Sequence, residues 1–155
     1  MAIAYSLMTV EDIDAVLHIE QVSFTTPWSR GAFLSELTSN PLALYFVGRL
    51  DERVVSYGGC WLIHGEAHIT NVAVDPGFRG MGFGEGLCLW LMREASLRGM
   101  TRATLEVRVS NVAARKLYQK LGFLPVGVRP KYYTDTQEDA LIMWKDKLDA
   151  LAEDR

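Results

Sequence analysis

Cysteine is scarce in this sequence, and the two that occur form no recognisable site. Cys60 and Cys88 stand 28 positions apart in apolar surroundings, without a Cys-x-x-Cys motif. There is no Cys-x-x-Cys motif and no histidine at metal-ligand spacing, so the sequence suggests neither a disulfide framework nor a zinc site. We predict two reduced thiols in the core and no bound metal.

Long apolar runs and concentrations of basic residues are also missing. No apolar stretch reaches the roughly 18 residues of a membrane span, and the N-terminus turns acidic at Glu11 and Asp12, where a secretory signal needs a basic start. Lys and Arg number 16 against 19 Asp and Glu, for a net charge of -3, and no basic cluster could follow a phosphate backbone. We therefore expect a cytoplasmic protein that binds neither nucleic acid nor membrane.

The three histidines, His18, His64 and His68, do not have the spacing of metal ligands. The pair four positions apart lies in a stretch that alternates between polar and apolar residues like a strand. We interpret all three as surface or packing residues.

Hydrophobic patterning indicates one α/β domain over residues 1–155, with 49% hydrophobic residues to form its core. Helix-type spacing and caps predict helices over residues 10–24, 29–40, 85–98 and 111–121. Alternation and turn residues predict strands over residues 3–8, 42–50, 53–63, 66–74, 102–107, 123–129 and 140–147. The 42–74 segment reads as three antiparallel strands in a mixed sheet.

A glycine-rich stretch follows the strand that ends at Val74 and leads directly into a helix. Backbone N–H groups of such a turn, with the positive end of the helix dipole behind them, suit a pyrophosphate. A P-loop is excluded because Glu85-Gly86 stands where Lys-Ser or Lys-Thr is required. A dinucleotide fingerprint and a purely structural turn remain as alternatives.

Three segments together resemble the GNAT family of N-acetyltransferases. They are the pattern Arg79-x-x-Gly82-x-Gly84, the strand around Glu106 and the stretch 111–123. Residues 19–21, 26–29, 131–133 and 138–140 are further similar to the RimI-type ribosomal-protein-alanine N-acetyltransferases. The resemblance implies a single GNAT domain whose mixed, largely antiparallel sheet of about seven strands is flanked by about four helices and splayed at its central strands.

The resemblance implies that acetyl-CoA is the cosubstrate and that no metal takes part. Residues of the strand before the loop would pair with pantetheine through their backbone, namely Val72, Ala73 and Val74. The pyrophosphate would be held by the loop residues Arg79, Gly80, Met81, Gly82, Phe83, Gly84 and Glu85. Asn111 would touch pantetheine, and its alternative role is a helix cap.

Glu106 and Tyr118 are the candidate catalytic residues. Alternation in the 102–108 strand places Glu106 on the face opposite Leu105, and a carboxylate acting through a water suffices for an α-amine of pKa about 7.7 to 8.0. Tyr118 would protonate the leaving thiolate. The alternatives are a Glu106 that pairs with Arg108 or is solvated, and a Tyr118 packed on the sheet.

Four aromatic or proline positions would form the walls of a peptide groove according to the resemblance: Pro27 and Trp28 in the loop between the first two helices, and Tyr132 and Tyr133 in a loop near the last hairpin. Trp28 as a plug over the core and Tyr132 as a strand residue are the alternatives.

The resulting expectation is a monomer or weak dimer that acetylates the N-terminal amine of a protein, such as an alanine-starting ribosomal protein, by direct transfer. One alternative is acetylation of lysine side chains or a small amine. The other is a CoA-binding regulatory module without catalysis.

Overall fold

The computed structural model describes residues 2–148 and contains seven strands and four helices in that part of the chain. The strands are β1 Ala4–Leu7, β2 Ala43–Leu50, β3 Arg53–Ile63, β4 Glu66–Val74, β5 Arg102–Arg108, β6 Leu124–Tyr133 and β7 Glu138–Lys145. The helices are α1 Ile13–Ser23, α2 Arg30–Thr38, α3 Phe83–Leu97 and α4 Val112–Lys120, with 3₁₀ turns at Val10–Asp12 and Pro76–Phe78.

The strands form one mixed sheet in the order β1-β2-β3-β4-β5-β7-β6, which confirms the predicted α/β fold. The pairs β1–β2, β2–β3, β5–β7 and β6–β7 are antiparallel, and β4–β5 is parallel. The β4–β5 pairing joins only Glu66–His68 to Arg102–Thr104, although β5 continues to Arg108. This short pairing agrees with a sheet that opens at its central strands.

The contacts divide the chain into two compact units. Among the described residues, the first comprises residues 2–62 and Ile69–Leu91, and the second comprises Ile63–His68 and residues 92–148.

In the first unit, helices cover both faces of β2 and β3. One face carries Tyr45, Val47 and Tyr57, which share a buried cluster with residues of α1 and α2: Ile13, Val16, Ile19 and Phe33. The opposite face meets α3, where the Trp90 ring lies edge-on to Phe46 at 6.0 Å. Because strand side chains alternate, one pair of strands supplies the core on both sides.

A buried carboxyl ties α1 to the sheet of the first unit. Glu20 is 2% exposed, accepts a hydrogen bond from the Tyr57 hydroxyl, and accepts another from the backbone N–H of Trp28 at 2.9 Å. Buried polar groups are costly unless they are hydrogen-bonded, so these two donors make the position tolerable.

In the second unit, the residues on one face of β5 are buried: Ala103, Leu105 and Val107. Met143 of β7 pairs with Leu105 and is also buried. The intervening residues of both strands therefore project from the other face, where the pocket described below lies.

The predicted caps are confirmed. Ser29 accepts a hydrogen bond from the N–H of Ala32 at 3.1 Å, and Asn111 accepts one from Ala114 at 3.1 Å. Gly99 and Gly122 end α3 and α4 with φ of +91° and +99°, a conformation that costs glycine little.

Several element boundaries differ from the prediction. The 3₁₀ turn replaces the first predicted turn of α1, and α3 begins at Phe83 rather than at residue 85. The hairpin is longer than predicted because β6 continues through an irregularity to Tyr133, which pairs with Glu138. No helix within residues 2–148 has the combination of length and apolarity needed to cross a membrane.

Replacing Tyr57 by Phe should destabilise the protein by about 1 to 3 kcal/mol, because the buried Glu20 carboxyl loses a donor that water cannot replace. Urea denaturation of both proteins measures the difference. Tyr132→Phe is the matched control, since Tyr132 is 44% exposed and its loss should change the free energy of unfolding by no more than about 0.5 kcal/mol. Equal stability of Tyr57→Phe and wild type would contradict the role assigned to Glu20.

Candidate active site

A pocket of about 360 Å³ opens on the polar face of the second unit. Its lining comes from β4, β5, β6, β7 and the last residue of β3. The lining residues are Ile63, Glu66, His68, Thr104, Glu106, Val126, Gly127, Arg129, Ile142 and Trp144. Apolar walls with a few charged groups are typical of a ligand site.

Strand pairing explains why these residues converge. His68 is the partner of Thr104 in the parallel β4–β5 pair, and Glu106 follows two residues later on the same face. Thr104 pairs with Trp144 and Glu106 with Ile142 across the antiparallel β5–β7 pair. Directly opposed residues share a face, so charged side chains of β4 and β5 stand beside apolar side chains of β7.

The Glu106 carboxylate is enclosed by two basic side chains. His68 Nε2 lies 2.7 Å from Glu106 Oε2, and Arg129 Nε lies 3.6 Å from Oε1. The Glu106 side chain is 11% exposed. The hydrogen bond from His68 lowers the pKa of Glu106 below its ordinary value despite the opposing effect of burial, and the Arg129 charge acts in the same direction.

Arg108 is engaged elsewhere. Its guanidinium lies 2.8 Å from Asp135 and sits over the Tyr133 ring at 4.0 Å from the centroid. The alternative in which Glu106 pairs with Arg108 is therefore wrong, because the hairpin carboxylates hold Arg108 while His68 and Arg129 hold Glu106.

Tyr132 and Tyr133 lie at the end of β6 rather than in a loop, which corrects the sequence interpretation. Their rings are 5.1 Å apart and nearly perpendicular. Burial and the negative charge of Glu106 raise the pKa of Tyr132, so this side chain is electrostatically coupled to the pocket. Because β6 pairs with β7 as far as Glu138, the aromatic pair is fixed by the hairpin.

Tyr118 lies on α4 of the second unit, and Asn111 directly precedes that helix. The Tyr118 ring meets Phe123 edge-on at 5.6 Å, and the tyrosine is half-buried. Asn111 acts as the N-cap, so its predicted alternative role is present.

The glycine loop belongs to the first unit and is built on Asp75. The Asp75 carboxylate accepts from the N–H of Gly77 at 2.9 Å and lies 3.5 Å from Arg53. After this turn, Gly80 and Gly82 adopt φ of +79° and +81°, and an added Cβ at either would meet nothing within 4 Å. The backbone is thus open to a ligand directly before α3, a helix of 15 residues whose first-turn N–H groups favour anions.

Other loop and strand residues have structural contacts of their own. The Arg79 side chain donates to the Val74 carbonyl and the Ser23 hydroxyl, both at 3.0 Å. Phe83 is 8% exposed and packs with Leu50 and Val55, so only its backbone faces a ligand site. Met81 is exposed in the loop, and Glu85 is half-buried in the first turn of α3.

The strand before the loop alternates in the same way as β5. Ala73 is buried in the main cluster of the first unit, while Val72 and Val74 are half-buried on the other face. Val74 packs against the small cluster that contains Phe83.

Trp28 packs on the core of the first unit, with its ring 5.3 Å from Phe33 and 6.4 Å from Tyr45. Pro27 beside it is exposed. Trp28 therefore covers the core of the first unit, which is the alternative role given for it above.

The two cysteines are free and buried, as predicted. Burial raises the pKa of Cys88 to about 12, with a contribution from the charge of Glu85. Within residues 2–148, no group of three His, Cys, Asp or Glu residues is arranged to hold a metal ion.

His68 is the residue that the sequence interpretation missed. Alternation alone would have placed it opposite the buried Ala67 and Ile69, on the polar face of β4. Its position beside Glu106 depends on the β4–β5 register, because His68 and Glu106 are 38 positions apart in the sequence.

A larger pocket of about 440 Å³ lies in the first unit. Four of its charged side chains form two pairs, Asp12 with Arg49 and Asp75 with Arg53. We assign no chemistry to this pocket.

Comparison with known proteins identifies relatives over nearly the whole chain. The model of the acetyltransferase (GNAT) family matches residues 13–123. A Bacillus subtilis protein named as a candidate ribosomal protein bS18-alanine N-acetyltransferase is 46% identical over 88% of this chain and 91% of its own.

Solved structures with the same fold include the ribosomal-protein-S18-alanine N-acetyltransferase from Escherichia coli, with a TM-score of 0.86, 34% identity and 94% coverage of both chains. The NatC complex bound to Gag peptide and CoA contains a chain with a TM-score of 0.82 at 18% identity, covering 94% of this chain and 99% of that one, which is a likeness of fold alone. The extent of the family match and the identity to full-length relatives show that this chain belongs to the GNAT family of acetyltransferases.

Proposed function

We propose that the protein transfers the acetyl group of acetyl-CoA to the N-terminal α-amine of a protein, with an alanine-starting ribosomal protein as the substrate. The observation that carries this proposal is the enclosed Glu106 carboxylate in a partly apolar pocket, in a chain that resembles bS18-alanine N-acetyltransferases over its length.

Glu106 serves as the general base in this proposal. Its lowered pKa keeps it a carboxylate at neutral pH. An α-amine ordinarily titrates near 7.7 to 8.0, so its pKa lies only about one pH unit above neutral pH. A carboxylate acting directly or through one water can take the ammonium proton. The apolar side chains Val126, Ile142 and Trp144 support this role, because they favour an uncharged amine in the pocket.

Tyr118 serves as the general acid. As the amine nitrogen bonds to the acetyl carbon, the carbon–sulfur bond breaks and the thiolate needs a proton, which the phenol supplies. Its ordinary pKa near 10 makes it a weak acid, so its effect depends on hydrogen-bond geometry in the transition state. The edge-on contact with Phe123 supports the role by restricting the ring.

The glycine loop is suited to the pyrophosphate of acetyl-CoA. Positive φ and open space at Gly80 and Gly82 leave room for phosphate oxygens against the backbone. Arg79 would add a positive charge, with Met81, Phe83, Gly84 and Glu85 completing the turn, and Val72, Ala73, Val74 and Asn111 would contact pantetheine. Acetyl-CoA supplies the activated acetyl group.

Direct transfer is favoured over an acyl-enzyme. A nucleophilic cysteine must form a thiolate, and a thiol with a pKa of about 12 is almost entirely protonated at neutral pH. Cys88 is therefore unsuited to carry the acetyl group.

The peptide substrate would contact Tyr132 and Tyr133, whose hydroxyls can donate hydrogen bonds to a peptide backbone. Pro27 and the half-buried Trp28 are proposed to contribute contacts as well.

A single domain over residues 1–155 and a cytoplasmic location stay predictions.

An alanine-starting peptide with an internal lysine should release CoA from acetyl-CoA, whereas the same peptide blocked at its N-terminus should not. Thiol release with mass spectrometry of the product measures both the rate and the site. Equal release with the two peptides would assign the activity to lysine, and no release with either would favour a CoA-binding module.

Tyr118→Phe should lower kcat by about 10²-fold or more while changing the Kd of acetyl-CoA little, because the hydroxyl acts chiefly in the transition state. Steady-state kinetics and calorimetry on the same preparation give the two values. A parallel loss in both would assign Tyr118 to binding alone.

Gly82→Ala should weaken acetyl-CoA binding, because the methyl group occupies the space open to phosphate and the positive φ costs alanine about 1 to 2 kcal/mol. The matched control is Gly65→Ala, since Gly65 has the same φ of +81° and equally open surroundings in the β3–β4 turn. Calorimetric Kd values should separate the variants, while thermal unfolding shows the strain they share. Unchanged affinity in Gly82→Ala would refute the phosphate site.

A further inference from the structure

His68 forms the shortest contact to the Glu106 carboxylate, and none of the roles assigned above uses it. We propose that His68 is a positioning residue that holds Glu106 for proton removal. This inference rests on the proposed function and adds a residue to the acceptor side of the site.

The geometry orients the carboxylate from both sides. His68 Nε2 is 2.7 Å from Oε2, within hydrogen-bond distance, while Arg129 Nε is 3.6 Å from Oε1. An imidazole that donates from Nε2 fixes the plane of the Glu106 carboxylate, since rotation would break this bond. The Arg129 contact is too long for a hydrogen bond, so it adds positive charge near Glu106 but does little to orient the carboxylate.

Burial makes the His68 contact the stronger of the two. The His68 and Glu106 side chains are 33% and 11% exposed, whereas Arg129 is 56% exposed. Water screens an exposed cation, so the position of Glu106 depends mainly on His68.

The test compares kcat and KM of wild type and His68→Gln, with the alanine-starting peptide. Glutamine places an amide donor close to where Nε2 stands, so it can replace the hydrogen bond to Glu106. His68→Gln should keep most of the wild-type kcat, and KM for the peptide should be similar in both proteins.

Two further variants complete the comparison. His68→Ala removes the donor and should lose about tenfold or more in kcat at the pH optimum, with most of the loss restored in His68→Gln. His64→Asn is the control: it removes an exposed imidazole from the same hairpin, and asparagine tolerates the φ of +48° there. Its kcat and KM should equal those of wild type.

The inference is overturned if His68→Ala keeps full kcat, or if His68→Gln restores none of the loss seen in His68→Ala, while the peptide is still acetylated at its α-amine. Failure of the proposed function looks different, because acetylation would then occur on the internal lysine of the peptide. The same variants measured with that lysine as acceptor would still decide the role of His68, since either amine must lose a proton.

Discussion

The two-residue alternation of β4 and β5 is the constraint from which the candidate site follows. One face of these strands is committed to the core by Ala67, Leu105 and Val107. The residues between them must project from the opposite face, where water or other polar groups can satisfy them. His68 and Glu106 meet because the parallel register places them two positions apart on that face.

The contacts of two arginines, Arg108 and Arg129, then determine which charged groups surround Glu106 in the pocket. Arg108 does not contact Glu106, because Asp135 and the Tyr133 ring hold its guanidinium at the hairpin. Glu138 supports the same hairpin by accepting from the N–H of Ser110 at 2.7 Å. Glu106 is consequently left to His68 and Arg129, in a setting where hydrogen bonding rather than a close guanidinium is the main cause of its lowered pKa.

The glycine loop obeys a different constraint, which is conformational. Asp75 turns the chain after β4, and two residues with positive φ then lead into α3. Phe83 anchors the start of the helix in the core, so backbone rather than side chains faces the open space. A phosphate group requires this kind of surface, since backbone N–H groups donate without carrying a competing charge.

Local patterns in the sequence determined much of this protein by themselves. The strands 53–63 and 66–74, the caps Ser29 and Asn111, and the glycines that end α3 and α4 were predictable because each depends on residues a few positions apart. The loop motif and the polar position of Glu106 were predictable for the same reason. The partner of Glu106, the strand setting of Tyr132 and the packing of Trp28 on Phe33 were decided by tertiary structure. Each of these depends on strand register or on contacts between distant segments, and a one-residue shift of register would move every side chain to the opposite face.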